Sequence, residues 1–179
     1  MLTKIEQKID RFTDWIGAIS TALLILMLVN VFYDAIMRYF FRTGSIALQE
    51  MEWHLFSIVF LFGVAYALKE DGHVRVDILY DHLSSRTKAL INIAGAVLLI
   101  FPLSFLVIKG SFWFVHEAYT LHEISGDPGG LTHRWLIKAV IPVSFVFLCL
   151  STIGFILRQI TIFRGTETPR PPSHDDNIL

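Results

Sequence analysis

The sequence predicts an all-α membrane protein: four transmembrane helices with short amphipathic interfacial helices. Three observations lead there. The chain is 54% hydrophobic and only 17% charged, against about 45–50% and about 25% in soluble domains. The apolar residues gather into four runs, and Ala89–Ile108 and Ala139–Leu157 carry no charge at all. A helix needs roughly 20 such residues to cross a bilayer core. The connections are short and polar, which leaves almost no room for a soluble domain within 179 residues.

Residues 1–14 are polar but patterned. Ile5, Ile9, Phe12 and Ile16 share one helical face, and Lys4, Lys8 and Arg11 lie among acids on the rest. This predicts a short interfacial segment before the chain turns into the membrane; the alternative is a plain extension of the first span. The four-helix domain then covers residues 15–163. Its first span, about 15–37, contains Asn30 and Asp34 as its main polar members. The run exceeds the h-region of a signal peptide, no A-x-A site follows, and Asp10 and Asp14 precede it, so it reads as retained. The second span, about 48–68, brings Glu50 and Glu52 to the membrane surface.

The connection 69–88 opens with the turn pair Asp71-Gly72. Val76, Leu79, Tyr80 and Leu83 then recur at helical spacing, predicting a second interfacial helix, with Ser84-Ser85 capping the third span. That span, about 89–108, continues helical past Lys109, Trp113, His116 and Glu117, and breaks at residues 125–130. Thr132 is the expected cap of the fourth span, about 136–157, with Trp135 as its interfacial anchor. Pro102 and Pro142 predict kinks rather than breaks. Residues 164–179, with Pro169, Pro171 and Pro172, read as a disordered cytoplasmic tail.

Lys and Arg set the expected orientation. With the N-terminus inside, ten lie in inner segments (Lys4, Lys8, Arg11, Lys69, Arg75, Arg86, Lys88, Arg158, Arg164, Arg170) and five in outer ones (Arg38, Arg42, Lys109, Arg134, Lys138). Both termini are therefore expected in the cytoplasm.

Chemistry-bearing constellations are few. A net charge of −1 offers nothing to nucleic acid, and Cys149 reads as a packing residue inside the fourth span. Asn30, Asp34 and Arg38 are spaced i, i+4, i+8, with the acid in the favourable order before the arginine. Glu50 enters the membrane on the same side, so Asp34, Arg38 and Glu50 form a candidate structural or subunit-interface charge cluster, with a Glu50–Arg38 contact across the short loop as its sharper form. His116-Glu117 lacks the second histidine of H-E-x-x-H; His122 falls about 240° further round a helix. His54 and His116, near the ends of two spans, are the pair that a heme would use. A heme-bearing membrane anchor and a small self-sufficient transporter are thus the rival readings. No phosphate loop or nucleophile triad argues for an enzyme.

Arg38, Gln49-Glu50, Gly63 and the stretch His73-Val74-Arg75-Val76-Asp77 resemble the signature of the small permease subunit of TRAP transporters, the DctQ-like family. The resemblance covers roughly residues 10–160. Asp127-Pro128-Gly129-Gly130-Leu131, with Arg134-Trp135 and Ile137-Lys138-Ala139, is similar to a subset with a longer third loop. The departures are Gln49, where many members carry an acid, and Ile46 to Leu48, where many carry a tryptophan. The resemblance implies a tripartite system in the bacterial inner membrane. A periplasmic binding protein captures an organic anion, usually a carboxylate, and a large permease subunit carries it inward with sodium. The small subunit widens the large one's stationary scaffold. It also implies Gly63, His73 and Asp77 as family-motif positions, no cofactor in this chain, and sodium ions in the large subunit.

Overall fold

The computed structural model describes residues 2–70 and 83–165. They form four helices: α1 (Leu2–Phe40), α2 (Ile46–Lys69), α3 (Ser85–Thr120) and α4 (Trp135–Phe163). No strand occurs among the described residues. Each helix is long and apolar enough to cross a membrane. The interfacial helix expected near Val76, the positions His73 and Asp77, and the tail beyond residue 165 lie outside the described residues.

The break expected after residue 14 does not occur. α1 is continuous for 39 residues, about 58 Å of helix against a hydrocarbon core of about 30 Å. It contains no proline, and its only glycine is Gly17. The polar face of its first turns has a partner inside the protein: Thr13 Oγ1 and Ser151 Oγ of α4 are 3.2 Å apart, and both residues are buried. The segment is thus the extension of the first span, bound to the bundle.

α4 is the hub, packed against α1, α2 and α3, while α1 and α2 also pair. Its buried face carries Ser144, Phe147, Leu148, Ser151, Thr152, Gly154, Phe155 and Gln159. Small and hydroxyl residues let helix backbones approach where lipid supplies no hydrophobic drive between them. Gly154 shows the tightness: a Cβ there would lie 2.9 Å from Ile9 Cγ2. On the other flank of α1, a Cβ on Gly17 would lie 2.6 Å from the Tyr66 ring of α2. Asn92 Nδ2 donates to Gln159 Oε1 at 3.1 Å, tying α3 to α4. Phe62, Phe147, Leu148 and Phe155 fill the remaining space around Ala65, Leu68 and Ala96.

α3 accommodates its proline without ending. A π-helical turn, Ala96–Ile100, ends two residues before Pro102; the Phe101 N–H reaches the Ala96 carbonyl. A π turn holds one residue more than an α turn. The buried residues of α3 are Ala89, Ala96, Ser104 and Ala118. Their intervals are seven, eight and fourteen residues, and the interval of eight spans the π turn. The widened turn absorbs the extra residue and keeps a row of small side chains against α4.

Caps follow local chemistry. Ser84 Oγ accepts from Thr87 N–H at 3.2 Å, as expected at the start of α3. Ser45 caps α2 in the same way. Thr132 does not cap α4. Its hydroxyl contacts His133 Nδ1 at 2.8 Å, His133 turns the chain with φ 61°, and Arg134 is already helical.

Candidate functional site: the polar cap at one end of the bundle

Charged side chains lie outside one long charge-free stretch in each span. Residues 15–33, 55–68, 89–108 and 139–157 contain no Asp, Glu, Lys, Arg or His. At one end the chain between α3 and α4, residues 121–134, folds over the bundle into an ordered cap.

Local rules build that cap. α3 closes with a left-handed residue, His122 (φ 46°), and Glu123 N–H bonds back to the Ala118 carbonyl at 3.0 Å, the pattern of a Schellman motif. Asp127-Pro128-Gly129-Gly130 is a β-turn. Proline holds its second position, Gly129 at φ 85° its third, and Gly130 N–H donates to the Asp127 carbonyl at 3.0 Å. That is type II geometry, which needs a positive φ where Gly129 stands.

Glu50 joins the cap to α2. It is only 8% exposed. Its carboxylate accepts from the Ser125 hydroxyl and from the backbone N–H of Leu131. Gly130 leaves it room: a Cβ there would lie 2.8 Å from Glu50 Oε2 and closer still to Ser125. Glu123 pairs with Lys138 and lies 3.9 Å from Arg134 Nε. Lys138 Nζ sits 4.0 Å above the Phe114 ring, and the Arg134 guanidinium lies 5.8 Å from the Trp53 ring. Tyr119 meets Trp135 edge to face at 5.4 Å. One carboxylate from α2 and another from the loop therefore lock α2, α3 and α4 together.

Of the residues singled out from the sequence, Asp34 and Arg38 form an ion pair on α1. The Asp34 side chain is 2% exposed and that of Arg38 50%. Asp34 Oδ1 has no hydrogen-bond partner among the described residues. Glu50 is bonded to the cap rather than to Arg38, because Ser125 and the Leu131 amide occupy its oxygens. Asn30 Nδ2 donates to the Leu48 carbonyl of α2 at 2.9 Å. Gly63 lies half-buried on α2, and a Cβ there would meet no described residue within 4 Å. His54 is half-buried on α2 and His116 exposed on α3. Sequence reasoning missed the roles of Glu123, Ser125 and Lys138. The dense motif from Asp127 to Ala139 was the available signal.

These features define an integral membrane protein with four spanning helices among the described residues and charge-free span centres. Residues 27–162 match the family described as tripartite ATP-independent periplasmic transporters, DctQ component. The chain belongs to that family. Two Haemophilus influenzae proteins described as TRAP transporter small permeases are similar to it. One is 31% identical over 140 residues, 76% of this chain and 86% of the relative. The other is 21% identical over 150 residues, 84% and 88% of the two chains.

Two predictions concern the cap and the ion pair. Glu50→Ala removes the acceptor for Ser125 and the Leu131 amide, so hydrogen exchange at Leu131 should accelerate at least about tenfold. Gly130→Val should act likewise by displacing the carboxylate. Unchanged exchange in both would show that the loop orders itself.

Arg38→Ala leaves the Asp34 carboxylate buried and unpaired. Such losses cost about 3–5 kcal/mol in full burial and about 0–1 at the surface. With Arg38 half-exposed, about 1–3 kcal/mol is expected in detergent unfolding. Adding Asp34→Asn should restore most of it, and Arg42→Ala should change little. Equal effects of Arg38→Ala and Arg42→Ala would remove any special role for the pair.

Proposed function

We propose that this chain is the stationary scaffold subunit of a sodium-coupled importer in the bacterial inner membrane. It holds a large permease subunit that takes an organic anion, of the carboxylate class, from a periplasmic binding protein. The observation that carries this reading is the charge-free centre of all four spans. An anion or coupling ion crossing the midplane needs polar groups facing its path. Here the central polar residues are chiefly hydroxyls and amides, several of them joining helices to one another. Transport chemistry therefore belongs to a partner.

The outward faces of α1 and α3 suit such a role. Phe32 and Tyr33 on α1, and Phe105 and Leu106 on α3, are more than half or about half exposed. They offer an apolar wall to lipid or to a neighbouring subunit. Gly63 supports a subunit contact on α2. A mid-helix glycine costs about 1 kcal/mol relative to alanine, and nothing among the described residues needs the space. A neighbouring helix approaching there would. The Asp34, Arg38 and Glu50 region then lies at the outer end, holding the scaffold in shape next to the partner.

The decisive experiment is reconstitution with and without the co-purifying permease. Liposomes holding this chain alone should show no sodium-dependent organic-anion uptake; the complex should. Gly63→Leu should reduce co-purification severalfold while this chain remains helical. Uptake by the chain alone would overturn the scaffold reading, and a Soret band removed by His54→Ala or His116→Ala would establish the heme-anchor alternative.

Orientation has its own measurement. Ser45 and Gly126 lie at the capped end and Ser84 at the other. In a Cys149→Ala background, cysteines at the first two should react with an impermeant reagent from the periplasm, and one at Ser84 should not. Reversed labelling would place the termini outside.

A further inference from the structure

The first turns of α1 have two sharply different faces. Glu6 and Thr13 are buried, and Ile9 packs against Gly154 of α4. The acids are engaged: Asp14 pairs with Lys69, and Glu6 and Asp10 also have partners. The other face carries Lys8, Arg11 and Trp15, all exposed; Phe12 lies at the flank, where its ring meets Phe147 of α4 edge to face at 5.6 Å. Lys8, Arg11 and Trp15 are spaced i, i+3, i+7, so their side chains lie along one stripe. Neither Lys8 nor Arg11 has an ion-pair partner among the described residues.

Their depth makes this unusual. Ile9 meets Gly154, and Thr13 meets Ser151. Both contacts fall inside the charge-free stretch Ala139–Leu157 of α4. About 6 Å of helix separates Gly154 from Arg158, the first charge that follows it. Lys8 and Arg11 thus stand beside the last apolar turns of a membrane span, rather than out in bulk water. Trp15, 62% exposed, is a residue type that settles at the headgroup level. A long cationic side chain at that depth extends toward the interface and takes an anion there.

We propose that Lys8 and Arg11, with Trp15 beneath them, form a docking surface for the phosphate headgroup of an anionic phospholipid in the surrounding leaflet. Two cations one turn apart fit the oxygens of a single phosphodiester, and the indole packs on the glycerol and upper acyl carbons. The stripe faces away from α4, so the lipid seats from the bilayer side and pins the α1 end of the bundle to the membrane surface. This rests on the membrane spans alone and holds whichever side the N-terminus faces.

Native mass spectrometry of the full chain, purified in mild detergent with its co-purifying subunits, tests it. The probes are phosphatidylglycerol and phosphatidylcholine of matched acyl chains. Each interfacial cation is worth about fivefold in affinity for an anionic lipid surface. The native protein should therefore retain phosphatidylglycerol at least about tenfold better than phosphatidylcholine. The double variant Lys8→Gln, Arg11→Gln should lower that ratio to near one. The charge-keeping variant Lys8→Arg, Arg11→Lys should preserve it, as should Arg42→Gln at the opposite end. Equal retention of the two lipids by the native protein would overturn the proposal. So would a double variant that keeps its lipid preference but loses its co-purifying subunit, since the cations would then serve a protein contact. Displacement of phosphatidylglycerol by millimolar inorganic phosphate would also overturn it, by showing a simple anion site.

Discussion

The packing of α4 against its three neighbours is the interaction on which the rest of the structure depends. In a bilayer, burying a leucine between helices gains little over leaving it in lipid, so helices must be held by close contact and hydrogen bonds. α4 supplies both. Ser144, Ser151, Thr152 and Gly154 keep its surface thin, and Thr13, Asn92 and the small row of α3 meet it. The π turn before Pro102 belongs to the same constraint. It lets Ala89, Ala96, Ser104 and Ala118 face α4 although one interval between them is a residue too long.

With its centre held by hydroxyls, amides and aromatic rings, the bundle places most of its charges toward the ends. There they do structural work of different kinds. Glu50 is an acceptor at the foot of a loop, Glu123 is a clasp between α3 and α4, and Asp34 sits under a half-exposed arginine. At the other end Asp14 and Lys69 join α1 to α2. A bundle pinned at both ends and tightly packed between them has the rigidity that a stationary subunit needs. Its exposed apolar faces remain free for lipid and for the larger subunit proposed above.

Much of this was readable from residue order. The four spans follow from apolar run length, because a bilayer imposes one length on every helix that crosses it. The serine cap at Ser84 is local chemistry, as is the turn at Asp127–Gly130, whereas the cap at Ser45 emerged only in the structure. The family was visible in Arg38, Gln49-Glu50, Gly63 and the stretch His73-Val74-Arg75-Val76-Asp77. Less legible was the start of the chain. Its amphipathic pattern describes a helix with two faces, but a membrane surface and a neighbouring helix are equally good partners for such a pattern. Thr132 misled for a related reason, since a capping residue type does not reveal that His133 will take a left-handed conformation.

The sequence by itself determined the class: hydropathy is a property of composition along the chain, and four runs of sufficient length admit few other folds. Only the tertiary structure decided which charges meet. Glu50 lies 12 positions from Arg38 and more than 70 from Ser125, yet it bonds the latter, because α4 draws the third loop across the mouth of α2. Pairing in space depends on helix order around the bundle, and no local pattern encodes that order. The same packing turned Lys8 and Arg11 away from the protein at membrane depth, a consequence of contacts made by Ile9 and Thr13 on the opposite face of one helix.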